Sequence, residues 1–312
     1  MATTQERLEE QTPVLERESE KHRSLRADVW RQFRRHKGAM VGLVVLSLIM
    51  IACFIGPYLW SGDPYTTNPA EGSLPPSLEH PMGTDNLGRD VFARVLIGGR
   101  ISLTVGITAM AVGLILGTGI GILSGFFKRL DEPLMRITDL FLALPILPLL
   151  LVVIMLFRKP LTEALGPETG IFILVVVIIG ATSWMPTTRV VRGEVLSLKQ
   201  DEFVLAAHSI GTRKRNVIFR HILPNTMSPV IVAAALGIAG AIITESALSF
   251  LGLGFPSTFP TWGRLLFDAK DYLQITPMRV LWPGVMISLT VLSVNYIGDG
   301  LRDAMDPKLR SK

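Results

Sequence analysis

The chain has 312 residues, 49% of them apolar and only 18% charged, and its mean hydropathy is +0.43. Soluble proteins carry roughly 25% charged residues. That shortfall, together with several apolar runs near the roughly 20 residues that cross a bilayer, excludes an ordinary soluble protein. The net charge of +5 does not require nucleic acid, because lysine and arginine crowd the cytoplasmic loops of membrane proteins. The single cysteine, Cys53, lies in the first apolar run, so neither an intrachain disulfide nor a cysteine metal site is expected. The chain has no HExxH, no GxSxG and no GxxxxGK[ST] phosphate loop. No catalytic, metal or cofactor-binding residues are predicted, and any nucleotide used must be bound by another polypeptide.

Residues 1–38 read as a cytoplasmic tail ending in an interfacial helix. Leu25, Val29 and Phe33 recur at helical spacing beside Trp30, with Arg26, Arg31, Arg34, Arg35 and Lys37 on the other side. A basic amphipathic helix with an aromatic anchor suits a membrane surface. Residues 39–100 make a first span, 39–60, and a long external loop. In that loop Asp90 is expected to cap a short helix over residues 91–96, ended by Gly98 and Gly99.

Residues 101–300 form a five-helix core. The second span, 101–127, carries Gly113, Gly117, Gly121 and Gly125 on one face. Such a stripe lets a second helix approach closely; Gly117 and Gly121 are also candidates for a translocation path. The third span, 137–157, should be kinked by Pro145 and Pro148. A polar loop, 158–170, leads to a fourth span, 171–185. The fifth, 226–248, has a small-residue stripe at Ala233, Gly237 and Ala241. Glu245 lies in its outer part. A carboxylate at the membrane centre costs roughly 2.5–3.5 kcal/mol on insertion scales, so Glu245 must face protein or water, as a structural hydrogen-bonding group or as a substrate contact. A second external loop, 249–280, precedes the sixth span, 281–297, and a charged tail over 301–312.

Six spans place both ends on one side. Most of the 31 lysines and arginines flank that side, in the N-terminal segment, around Lys128, Arg129 and Arg136, in residues 186–225 and in the C-terminal tail. That side is therefore expected to be cytoplasmic. No internal inverted repeat is visible, which counts against the ion-coupled secondary transporters as an alternative.

Residues 201–225 read as a short helix, a glycine turn, a second short helix and a proline stop. Phe203, Val204, Ala207 and Ile210 share one face, and Gly211 falls where a left-handed residue ends a helix. Thr212 is expected to cap the second helix, which carries Val217, Ile218 and Ile222, and Pro224 to stop it. Isolated helices need roughly 12–15 residues to persist in water. A basic segment of such short helices, inside a membrane protein, suits a docking surface.

The spacing Leu205-Ala206-Ala207, three residues, Gly211, nine residues, His221-Ile222-Leu223-Pro224 resembles the EAA loop of binding-protein-dependent ABC importer permeases. Leu205 stands where that family has glutamate, with Glu202 the acidic residue nearby, and His221 stands at an isoleucine position. Four further blocks in order resemble the C-type permeases of dipeptide and oligopeptide systems: HPMGTDNLGRDVFARVLIGGRISL, DEPLMRITD, ESALSFLGLG with a later PTWG, and GDGLRDAMDPKLR.

The resemblance implies an all-α polytopic membrane protein, the six-helix transmembrane domain of a type I ABC importer. It implies a permease for di- or oligopeptides, or for nickel or glutathione-like solutes, in the cytoplasmic membrane. The implied partners are a homologous second permease, two ATPase subunits that hold ATP and Mg, and an extracytoplasmic solute-binding protein. Glu202, Leu205, Ala206, Ala207, Gly211, His221, Leu223 and Pro224 would couple the permease to its ATPase. Asp85, Arg89 and Asp90 are candidates for contact with the binding protein, although aspartate, asparagine and glycine also simply make turns.

Overall fold

The computed structural model describes residues 25–305, so the expectations for residues 1–24 and 306–312 lie outside the described residues. The principal helices are α1 (Leu25–Arg35), α2 (Lys37–Leu59), α3 (Val91–Phe126), α4 (Lys128–Ala143), α5 (Ile146–Leu165) and α6 (Pro167–Leu198). Then come α7 (Glu202–Ser209), α8 (Lys214–Val217), α9 (Leu223–Phe250), α10 (Trp262–Ala269) and α11 (Met278–Met305). Among the described residues five helical runs are long and apolar enough to cross a membrane, and the bent pair α4–α5 makes a sixth if counted as one span.

The centre of the fold is the pairing of α3 with α6. A Cβ added to Gly117, Gly121 or Gly125 would lie 2.7 Å from the Cβ of Thr187, Val191 or Val195 respectively, and one on Gly113 would lie 3.1 Å from Ser183. Gly180 returns the arrangement from α6, against Val112. Bare glycine thus brings two backbones together along four turns, and Thr188 donates a hydrogen bond across the seam to the Gly117 carbonyl at 3.1 Å. Lipid offers no hydrophobic drive for helix pairing, so this close packing is what holds the pair. On α9, Gly237 sits against Met110 of α3 in the same way. Helix α2 lies on α11, with Gly42 against the Ser293 carbonyl, and exposes Val41, Val44, Leu48, Ile51 and Ile55. The apolar side of α1 also turns toward protein: Phe33 is buried against Gly300 of α11, and Trp30 stays half-exposed.

Several sequence expectations are corrected. Gly98 and Gly99 do not end a helix, and α3 is continuous over 36 residues from its Asp90 cap. The reason is packing, since a Cβ on Gly99 would meet the Trp262 ring at 2.5 Å. The third span is broken and not merely kinked: α4 and α5 meet at 89°. Leu144 is extended there, with φ −76° and ψ 137°, as expected of a residue before proline. Pro145 flanks the new helix at its N-terminus, where no amide donor is needed. Residues 128–136, which lie between the expected second and third spans, are the first half of α4, and most of the expected loop 158–170 is helical. Helix α6 runs thirteen residues past the expected end of the fourth span, to Leu198.

Candidate functional site

Beyond the C-terminal end of α6 the chain folds into an elbow. It starts where Lys199 reaches back and donates to the Gly125 and Phe126 carbonyls, each at 3.1 Å. These belong to the last turn of α3, whose carbonyls lack partners in the helix and carry its negative dipole end, so an ammonium is well placed there. Helix α7 then ends in a Schellman motif. Gly211 is left-handed at φ +75°, its amide donates to the His208 carbonyl, and the Thr212 amide donates to the Ala207 carbonyl. Only glycine takes this conformation without a steric cost.

The second limb departs from expectation in two ways. Thr212 makes no cap, since α8 starts after Arg213 without a side-chain cap. Pro224 does not stop the helix, because α8 continues through a π-helical turn, Ile218–Ile222, into α9. Proline has no amide to give to the turn before it and its ring crowds that turn. The wider turn resolves both problems, with Leu223 donating five residues back to Ile218. The elbow is therefore the lower end of a transmembrane rod and not a separate pair of helices. Such π turns are commonly found at functional sites.

The elbow has two faces. Val204, Ala207, Val217 and Ile222 are buried together with Ile122, Phe126, Val191, Val195 and Val230. This keel ties both limbs to α3, α6 and α9. Of the four residues expected on one apolar face, only Val204 and Ala207 point inward. Phe203 is 43% and Ile210 82% exposed, as are Leu205 at 52% and Phe219 at 59%. Glu202, Ala206 and Gly211 are exposed beside them, while His221 and Leu223 are half-buried and Pro224 is exposed. His221 leans on the Phe203 ring, centroids 6.2 Å apart. Arg213, Arg215, Asn216, Phe219 and Arg220 line an open hollow on the second limb. The sequence reading missed Lys199 and this hollow, whose signal was the run of arginines around Phe219.

At the other end of the bundle Glu245 is fully buried. Ser102 of α3 donates to its Oε2 at 3.0 Å, and Ser249 donates to its Oε1 at 2.7 Å. The same Ser102 oxygen accepts the Trp262 amide at 3.2 Å, and the Trp262 indole donates to the Val95 carbonyl at 3.0 Å. Gly263 sits directly on the Ser246 backbone. Glu245 thus knots α3, α9 and the start of α10. Nearby, Asp90 accepts the Ala93 amide and pairs with His80, both at 2.7 Å. Asp85 accepts from Arg89 Nε at 2.7 Å and from the Leu87 and Arg89 amides. Asp85, Arg89 and Asp90 therefore spend their polar groups on building the loop, and Arg89 and Asp90 are buried. Gly117 and Gly121 lie in the α3–α6 seam.

The described residues thus form an all-helical bundle of rods long and apolar enough to cross a membrane, with an exposed elbow at one end. The family described as "Binding-protein-dependent transport system inner membrane component" matches residues 95–311, and "N-terminal TM domain of oligopeptide transport permease C" matches residues 24–76. A dipeptide transport system permease protein of Alkalihalophilus pseudofirmus is 40% identical over 285 residues, 91% of this chain and 90% of that protein. An oligopeptide transport system permease protein of Bacillus subtilis is 40% identical over 296 residues, 95% of this chain and 93% of that one. A glutathione transport system permease protein of Pectobacterium atrosepticum is 39% identical over 290 residues, 91% of each chain. The inward-facing MetNI methionine ABC transporter superimposes with a TM-score of 0.52 at 14% identity, over 68% of this chain and 97% of that one, a likeness of fold. The chain belongs to the family of binding-protein-dependent transport system inner membrane components, and is a permease subunit of an ABC importer.

Proposed function

We propose that this permease passes di- or oligopeptides across the cytoplasmic membrane, driven by ATP that partner subunits bind and hydrolyse. The observation that carries the reading is the elbow: a buried apolar keel continuous with α3, α6 and α9, under an exposed apolar and basic face. A push on Phe203, Leu205 or Ile210 is passed to the rods through Val204 and Ala207, and the unbroken path from α8 to α9 carries it across the membrane. The ATPase pair, holding ATP and Mg, grips the elbow on the cytoplasmic side, where both chain ends also lie. A homologous permease completes the pathway, and a solute-binding protein delivers solute on the side of the two long loops. ATP then works by preferring one of two conformations.

Peptides are the substrate of choice because the most similar relatives quoted above include dipeptide and oligopeptide permeases; the glutathione permease keeps a small peptide-like thiol as the second reading. The test is uptake of labelled peptide into vesicles holding the whole complex and its binding protein. ATP-dependent uptake is expected. Uptake that persists without ATP and collapses with the proton or sodium gradient would contradict the proposal.

A further inference from the structure

At the end of the bundle that carries the elbow, an open apolar groove of about 650 Å³ lies between α1 and the start of α9. Trp30 and Phe33 of α1 line it, with Pro224 and Ile231 of α9 and Ile297 and Leu301 of α11. No charged side chain belongs to its lining. Leu43 of α2 also borders it, and the neighbouring Val41, Val44 and Leu48 of α2 are exposed. The groove therefore continues into the apolar outer surface of a span. Its rim on α1 is basic. The Arg34 guanidinium stands over the Trp30 ring, 5.6 Å from the centroid, and Arg35 and Lys37 are exposed just beyond it. The acidic groups on either side of these cations have other partners: Asp28 pairs with Arg31, and Asp303 lies 3.8 Å from His36. Among the described residues no carboxylate pairs with Arg34, Arg35 or Lys37.

An uncharged slot open to the bilayer, with free cations at its rim, calls for a ligand with a hydrocarbon tail and an anionic head. Neither half suffices alone. A single acyl chain gives only marginal, reversible binding, whereas a chain together with a basic patch is held stably. Basic clusters beside a span attract anionic headgroups over neutral ones. We propose that the groove seats one acyl chain of an anionic phospholipid, whose phosphate pairs with Arg34 in the field of Arg35 and Lys37. The chain fills the space between α1 and the first turns of α9, which follow directly on the π-helical turn Ile218–Ile222. The lipid thus fastens the interfacial helix to the rod where the rod joins the elbow. This site is separate from the outward face on which the ATPase is proposed to grip.

The test uses the full permease in its assembled complex, in nanodiscs of phosphatidylcholine with a minor share of phosphatidylglycerol. Trp30 is the reporter, because bromine on an acyl chain quenches an indole that it touches. The bromine is carried by phosphatidylglycerol in one sample and by an equal amount of phosphatidylcholine in the other, and the Trp30 signal is isolated by difference from Trp30→Phe. Brominated phosphatidylglycerol is expected to quench Trp30 several-fold more strongly. Arg34→Gln combined with Lys37→Gln should remove that preference. A density map of the unmodified complex in the same nanodiscs is independent of any variant, and is expected to show a chain in the groove with its headgroup at Arg34. Equal quenching by the two lipids, a preference that survives the double substitution, or a map in which a protein segment fills the groove would each overturn the proposal.

Discussion

At the scale of single residues, this chain uses glycine for two unrelated purposes, and substitution separates them. Gly211 is needed for its left-handed backbone, with open space where a side chain would go. Gly211→Val should cost about 1–2 kcal/mol of local strain and shift the angle between the elbow's limbs. The expected result is normal membrane insertion with ATP-driven uptake lost or uncoupled, read by measuring hydrolysis and transport side by side. Gly117 is needed for close approach instead. Gly117→Ala puts a methyl 2.7 Å from Thr187 and from the Trp184 carbonyl, an overpacking of about 1–3 kcal/mol that should lower the Tm of the complex. Gly119, two positions on, has nothing within 4 Å, so Gly119→Ala should leave Tm unchanged and serves as the control. The hydrogen bonds of Glu245 are those of a packing residue. Glu245→Ala removes the acceptor for the buried Ser102 and Ser249 hydroxyls, a loss of roughly 1–3 kcal/mol for each group left unsatisfied. Glu245→Gln keeps an acceptor, and should retain both assembly and peptide uptake. Loss of uptake in a well-assembled Gln variant would instead make Glu245 a solute contact.

At the scale of elements, proline and charge decide what hydropathy alone left open. The run 137–157 looks like one kinked span because its apolar content is continuous across the break. Only the extended Leu144 before Pro145 turns it through 89°, and a proline in a sequence does not announce whether it will kink or sever a helix. Pro224 shows the opposite outcome, where a π turn lets the helix pass through. That outcome depends on neighbouring packing, namely Val217 and Ile222 both seated in the keel, which no local signal states. The α3–α6 seam, by contrast, was readable from the four-residue glycine spacing. The elbow's anchoring is also tertiary: Lys199 meets carbonyls some seventy residues earlier in the chain. Lys199→Met should uncap the end of α3 by about 0.3–1 kcal/mol or somewhat more in this partly buried setting. Hydrogen exchange should then speed up across residues 199–212 and at the end of α3, and stay unchanged in α10. Unchanged exchange in the elbow would show that the keel alone holds it.

At the scale of the whole molecule, the two ends of the bundle do different jobs. One end is knotted: Glu245, Trp262, Arg94 and the Asp85–Arg89 pair fasten both long loops to α3 and α9. The other end keeps an exposed apolar and basic elbow on a rigid keel. The membrane class, five of the expected spans and the place of the elbow were legible in the sequence, because hydropathy and the Gly211 turn are local signals. The orientation of Phe203 and Ile210 was not, because which side of α7 is buried depends on where α3 and α6 lie. In the proposed function this outward apolar face is where the ATPase grips. The most direct measurement is retention of the ATPase subunits when the tagged permease is purified from membranes as Ile210→Asp, beside Leu78→Asp as control, since Leu78 is 99% exposed on the loop at the knotted end. Ile210→Asp is expected to insert normally and lose its ATPase, while Leu78→Asp keeps it; full retention by Ile210→Asp, with ATP-driven uptake unchanged, would rule out a grip at this face.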